Sequence, residues 1–196
     1  RPLAEPTLHG GGREPPDIAP LRDRWRRDHD AAEEVPGTMT CLACGSANPL
    51  GLGVRFLANE RFLWGEYTTL PTYRTRDGAH PALALILLDE LGWWLGALAQ
   101  RECGVTTDVQ ITLFEAIPDA PLLVVGDRTA VRNDGDPRGR YSRVSGALLG
   151  PDGELLATAD VRFAGSRAYT RRLVEPFLGT TPIDALVRWF PSSREL

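Results

Sequence analysis

The sequence predicts an α+β protein, a curved antiparallel sheet wrapped around one long central helix, with extra helical segments toward both ends. Three observations predict it. The run HPALALILLDELGWW, residues 80 to 94, is apolar on nearly every side and too long for a strand, so it reads as a buried helix. Two strand-like runs precede it and four follow it. The gaps between those runs carry turn chemistry: Pro118-Asp119, Asn133-Asp134-Gly135 and Pro151-Asp152-Gly153. A helix apolar all round must be covered, and a sheet curved about it is the economical cover.

Taken in order, residues 1–16 are rich in Pro and Gly without apolar periodicity, and read as a disordered or extended arm. Residues 17–40 read as a helical extension in which PLRDRWRRDHDAAEEV is a charged helix anchored by one large apolar residue, Trp25. The main domain spans 41–165. Its first two strands, GLGVRFL and RFLWGEYTTL, are split by Ala58-Asn59-Glu60 and form a hairpin. The central helix has Pro81 at its first position and Gly104 as its stop. The later strands fall at Thr106–Glu115, Leu122–Arg132, Gly139–Leu149 and Leu155–Phe163. In the C-terminal extension, 166–196, TTPIDALVRWF reads as a short helix with Thr181 as N-cap and Leu186, Trp189 and Phe190 on its apolar side.

Of the 196 residues, 42% are hydrophobic and 24% charged, with a formal net charge of -4, values of an ordinary globular chain. That charge argues against nucleic acid as a partner, which would require a net basic face. Every basic residue is arginine, so an anionic ligand would be held by guanidinium groups or backbone N–H donors. No run approaches the roughly 18 apolar residues of a membrane span, and the N-terminus lacks a signal-peptide core, so the expectation is a cytoplasmic protein without a membrane partner. Cys41, Cys44 and Cys103 are too few for a disulfide scaffold. The Cys41-Leu42-Ala43-Cys44 spacing suits zinc, but a structural site takes four ligands and no second pair exists, so no metal or other cofactor is expected.

An acid inside an apolar helix is costly unless it is paired, hydrogen-bonded or solvated. Asp89 and Glu90 are adjacent and diverge by about 100° on a helix, so both cannot face one substrate atom. One is then functional and the other structural.

Three segments carry a family resemblance. CLACGSANPLGLGVRF resembles the Cys-x-x-Cys-Gly, Asn-Pro and Gly-Leu pattern found before the first strand of hotdog-fold acyl-CoA thioesterases of the phenylacetate-degradation and 4-hydroxybenzoyl-CoA type. His80 followed nine residues later by Asp89 is similar to that family's spacing between the histidine opening the helix and the catalytic carboxylate. GVTTDVQITLFEAIP is similar to the family strand after the helix. The resemblance covers Cys41 to Phe163 and leaves both extensions unexplained.

It implies an acyl thioesterase acting on an acyl-CoA or acyl-carrier-protein substrate, assembled as a homodimer or dimer of dimers. Asp89 would be the general base or nucleophile, Glu90 its replacement if the register slips by one, and Thr106 the hydroxyl that positions water or thioester. The family opens its helix with His-Gly-Gly and uses a backbone N–H there for the oxyanion. This chain reads His80-Pro81-Ala82, and proline has no N–H, so Ala82 or the His80 ring would have to donate instead. Arg138, Arg140 and Arg143 beside a glycine-containing turn are the candidates for the anionic carrier. Trp93, four residues after Asp89, would crowd the acyl pocket and favour short or flat aromatic groups. The alternative is a non-catalytic acyl-thioester binding protein on the same scaffold, with the oxyanion donor lost to Pro81. A hotdog dehydratase ranks last, because its His-to-acid spacings are missing.

Overall fold

The apolar run does form the central helix. In the computed structural model, which describes residues 14–195, Pro81 stands just before the helix with φ -56° and ψ -25°, and the helix covers Ala82–Gln100. Arg101 ends it in the left-handed conformation. By length and composition this helix could cross a membrane, which the sequence reading did not credit; here its apolar length is spent on a sheet.

In chain order the elements are α1 (Ala19–Asp28), β1 (Glu33–Glu34), β2 (Arg55–Ala58), β3 (Phe62–Thr68) and a small hairpin of β4 (Arg74–Thr75) and β5 (Gly78–Ala79). Then come the central helix α2 (Ala82–Gln100), β6 (Gly104–Leu113), β7 (Pro121–Asp127), β8 (Arg132–Asn133), β9 (Tyr141–Leu149) and β10 (Leu155–Gly165). Three short α-helices follow, α3 (Arg167–Leu173), α4 (Glu175–Leu178) and α5 (Ile183–Trp189), and a 3-10 segment, Pro191–Glu195, ends the described residues. The sheet runs β1-β2-β3-β7-β9-β10-β6, with β8 beside β9, and every pairing is antiparallel. It is curved about α2, whose Leu83, Leu87, Leu88, Leu91, Trp94 and Leu95 have no measurable exposure. Gly92 and Gly96, four residues apart on one side of the helix, let it approach Val161 and Phe163 of β10.

A second, smaller core lies on the outer face of the sheet. Phe62, Trp64, Val125 and Leu149 point outward there and are covered by α1. Trp25 stacks on His29 and meets Trp64 edge-on, but it is not the single anchor expected; Ile18 and Leu21 pack beside it.

Other boundaries differ for local reasons. The expected strand to Arg132 stops at Asp127, whose carboxylate accepts hydrogen bonds from the Thr129 N–H at 2.8 Å and from its hydroxyl, turning the chain into a single 3-10 turn. The 17–40 segment is helical only to Asp28, and Glu33–Glu34 joins the sheet edge instead. The C-terminal helix begins after Pro182, which is extended, so Thr181 does not cap it. Leu186 and Phe190 are fully buried, as expected, and Trp189 is half-buried. Of the N-terminal arm, residues 1–13 lie outside the described residues.

Candidate active site

Most of α2 is covered by sheet, but a stripe through Leu85, Ile86, Asp89, Glu90 and Trp93 is only half-buried or exposed. Along it runs an open cleft of about 390 Å³, between the helix, the start of β6 and the C-terminal extension. Asp89 and Trp93 line it from α2, Gly104 and Thr106 from β6, and Leu173, Pro176 and Phe177 from α3 and α4.

A β-bulge aims Thr106. In the pairing of β6 with β10, Asp108 lies opposite Arg162 and Thr106 opposite Phe163, which leaves Thr107 as the extra residue. In a regular strand Thr106 and Val109, three residues apart, would lie on opposite faces; with the bulge, Thr106 shares the helix-facing side with Val109 and Ile111. The Thr107 hydroxyl secures the bulge by donating to the Arg162 carbonyl at 3.1 Å. The Asp89 Oδ1 and the Thr106 Oγ1 are both buried without a hydrogen-bond partner among the described residues, and both belong to this one cleft.

The Trp93 ring forms one wall. Its Nε1–H donates to the Gly104 carbonyl at 2.8 Å, and it meets Trp94, Phe163, Phe177 and Phe190 in an aromatic cluster. The C-terminal extension therefore supplies cleft residues, Leu173, Pro176 and Phe177, that sequence reasoning did not single out. The only signal was the apolar content of LVEPF.

Glu90 points elsewhere. Its Oε2 lies 3.5 Å from the Cys41 Sγ, and Cys44 completes a three-residue cluster. Burial, then the neighbouring Cys41, pushes the Glu90 carboxyl up to about 8. The Cys44 side chain and backbone N–H groups of the turn hold the Cys41 thiol below its ordinary range, while the Cys44 thiol is pushed up by that same bond and by burial.

His80 and Ala82 bind each other. The Ala82 N–H donates to the His80 Nδ1 at 3.1 Å, so in the neutral ring the proton sits on Nε2. Seven residues at about 1.5 Å each put Ala82 about 10 Å from Asp89 along the helix, so within one chain they are not brought to one atom. Neither residue lines the Asp89 cleft.

The three arginines lie away from the cleft. Arg143 shares the outer, solvent-facing side of β9 with Ser145, and it pairs with Asp134, which Arg162 also meets at 2.6 Å. Hydrogen bonding to Arg143 holds the Asp134 carboxyl below its usual range. Arg140 pairs with Asp136 at 3.2 Å, and the Arg138 N–H donates to the same carboxylate. Arg140 and Arg143 are thus each engaged by an aspartate of the same turn.

No protein-family model and no curated protein matches the chain. Solved structures do. A thioesterase from Haemophilus influenzae superposes with a TM-score of 0.52 at 13% identity, over 62% of this chain and 83% of that one. Zebra fish thioesterase superfamily member 2 gives 0.50 at 16% identity, over 63% and 90%. A further thioesterase superfamily protein gives 0.50 at 18% identity, over 75% and 78%. With its antiparallel sheet curved about one long helix, the chain has a hotdog fold like that of these solved structures.

Proposed function

We propose that this protein is an acyl thioesterase, hydrolysing a CoA or acyl-carrier-protein thioester with Asp89 as its base. One observation carries the reading: a carboxylate oxygen and a hydroxyl, both buried and both without partners, line a single open cleft on the helix of a thioesterase-like fold. Leaving such a group unsatisfied costs about 1–3 kcal/mol, and more when it is charged. A water seated between Asp89 and Thr106, donating to the carboxylate and bonded to the hydroxyl, satisfies both.

The chemistry follows from that seat. Asp89 takes a proton from water as the water oxygen attacks the thioester carbonyl carbon, Thr106 holds the water or the thioester, and when the tetrahedral intermediate collapses the C–S bond breaks and the sulfur takes that proton from Asp89 to leave as the thiol. The oxyanion requires donors about 3 Å from its oxygen, and Ala82 is too far from Asp89 in the same chain. A second copy of the chain supplies them. β6 ends the sheet with ten residues on an edge unpaired among the described residues, so pairing there brings a partner chain beside Thr106. The partner's helix start then presents the His80 Nε2–H, since Pro81 has no N–H and the Ala82 N–H is occupied. Assembly is a homodimer or a dimer of dimers.

A second reading has one specific support, that same loss of free backbone donors at the start of α2. On it the chain binds an acyl thioester without cleaving it. The test is thiol release from short aliphatic, aromatic and long-chain acyl-CoAs and from one acyl-carrier-protein thioester, with light scattering for the oligomer. Asp89→Asn lowers kcat by about 10²–10⁴-fold on the first reading. Undiminished turnover in that variant refutes Asp89 as base. Saturable binding without turnover in the wild type selects the second reading, and neither binding nor turnover removes both.

A further inference from the structure

The turn 37–54 contains almost no regular structure, yet it is tightly knit, and only Thr38 of it lines the cleft. Ser46 N–H bonds Thr38 O at 3.1 Å, Leu52 N–H bonds Leu42 O at 2.8 Å, and Val54 N–H bonds Ala43 O at 2.9 Å. The Asn48 side chain donates to Thr40 O at 3.0 Å and also to Cys41 O. At its centre two backbone N–H groups aim at one sulfur: Ala43 at 3.3 Å and Cys44 at 3.5 Å, both toward Cys41 Sγ. Gly45 follows immediately, and a Cβ there would sit 2.2 Å from Cys41 O, so the turn closes only with glycine. N–H donors aimed at a sulfur stabilise it as a thiolate, the form that binds metal.

We propose that Cys41, Cys44 and Glu90 form a binding site for one thiolate-preferring divalent cation, Zn²⁺, with the fourth position taken by water. The Sγ atoms of Cys41 and Cys44 and a carboxylate oxygen of Glu90 lie within 4.8 Å of one another. Around zinc, bonds of about 2.3 Å to sulfur and about 2.1 Å to oxygen make the edges of a tetrahedron about 3.6–3.8 Å long. The Cys41 Sγ to Glu90 Oε2 separation is 3.5 Å, already such an edge. All three ligands are half-buried rather than sealed, which leaves a path for the ion and room for a water. The expectation of no metal rested on the lack of a second cysteine pair. The fold supplies a carboxylate instead, from 49 residues away in sequence.

Such an ion ties the turn 37–54 to α2 at the residue next to Asp89. It makes the loop part of the rigid scaffold and adds no group to the cleft chemistry. Binding also releases the protons held by the thiols and the carboxyl.

The test is metal content, independent of any thioester assay. The full chain, without a histidine tag and purified in reductant without chelator, is analysed by inductively coupled plasma mass spectrometry, and one zinc per chain is expected. After chelation, cobalt(II) is added and the thiolate-to-cobalt charge-transfer absorption is read. Cys44→Ser removes stoichiometric metal and that absorption. Glu90→Gln, which keeps the side-chain volume and the turn, weakens zinc affinity by at least about tenfold in a chelator competition. Asp89→Asn retains the metal. The proposal is overturned by a folded wild type that carries no zinc and takes up none in the titration. A Cys41–Cys44 disulfide in protein purified without reductant overturns it too, as does unchanged affinity in Glu90→Gln.

Discussion

Gly96→Ala sets two effects of known size against each other on α2. Alanine is the better helix former by about 1 kcal/mol, so in an exposed helix the change stabilises. At Gly96 the new Cβ would lie 2.3 Å from Cγ and 2.5 Å from Cβ of Phe163. Carbon atoms in contact prefer about 3.5–4.0 Å, so helix and strand must part by more than an ångström, or the Phe163 ring must leave its rotamer. Neither the Cβ nor the Cγ of a ring in a paired strand is the loose end of a side chain, and overpacking of this kind costs about 1–3 kcal/mol, occasionally more. Packing wins by about 2 kcal/mol at the upper end of that range, which lowers Tm by about 4–8 °C in a chain of this size. The assay is reversible denaturation of Gly96→Ala, Phe163→Leu and the double variant. The two changes relieve each other, so the cycle returns a favourable coupling of about 0.5–3 kcal/mol. A Gly96→Ala protein more stable than wild type would refute the reasoning, because the helix would then not be held against β10 at that point.

Two further outcomes are expected. Trp93→Ala removes a wall of the cleft and frees the Gly104 carbonyl, so the preference for long-chain over aromatic acyl-CoA rises about tenfold or more in kcat/KM; an unchanged ratio means the acyl chain does not pass Trp93. The Cys103 thiol is fully buried, and burial pushes it up to about 12, so it resists alkylation at pH 8 in the native protein and reacts once unfolded. Since the folded value is raised, its contribution to stability is complete below the unfolded thiol value of about 8.5 and is lost as pH climbs toward 12. Urea midpoints between pH 8 and 11 should fall in wild type and fall less in Cys103→Ala; parallel curves would contradict this.

What was legible in the sequence was what depends on local pattern. The α2 run, the hairpin about Asn59 and the turns before β9 and β10 stand in the places their residues specify, because apolar period and turn chemistry act over a few residues. α3 was missed although Ser166 caps it by accepting from the Tyr169 N–H at 3.2 Å, a signal that SRAYTRRL contains. β9 begins at Tyr141 rather than Gly139, because the Asp136 carboxylate gathers the Arg138 and Arg140 N–H groups and Gly139 takes a φ of 63°. The cleft partners of Asp89 were only half legible. Thr106 was named from the resemblance, but its orientation depends on a one-residue bulge that no periodicity announces. Leu173, Pro176 and Phe177 arrive from a segment whose docking is decided by the aromatic cluster on α2.

The adjacent acids in a core helix have a common physical origin. A sheet curved about a helix cannot cover it completely, and the uncovered stripe of α2 is where polar side chains cost least. Two irregular segments flank that stripe, the cysteine turn on one side and the C-terminal extension with β6 on the other. Adjacent residues about 100° apart therefore face different neighbours. Asp89 looks into the cleft and Glu90 into the thiols. Thr38 joins the two environments, since it lines the cleft while its Oγ1 accepts the Cys41 N–H at 3.1 Å. A disturbance of the cysteine turn should thus reach the cleft through Thr38 as a change in binding, whereas loss of the Asp89 charge should leave the turn intact. The two acids are neighbours in sequence and separable in effect.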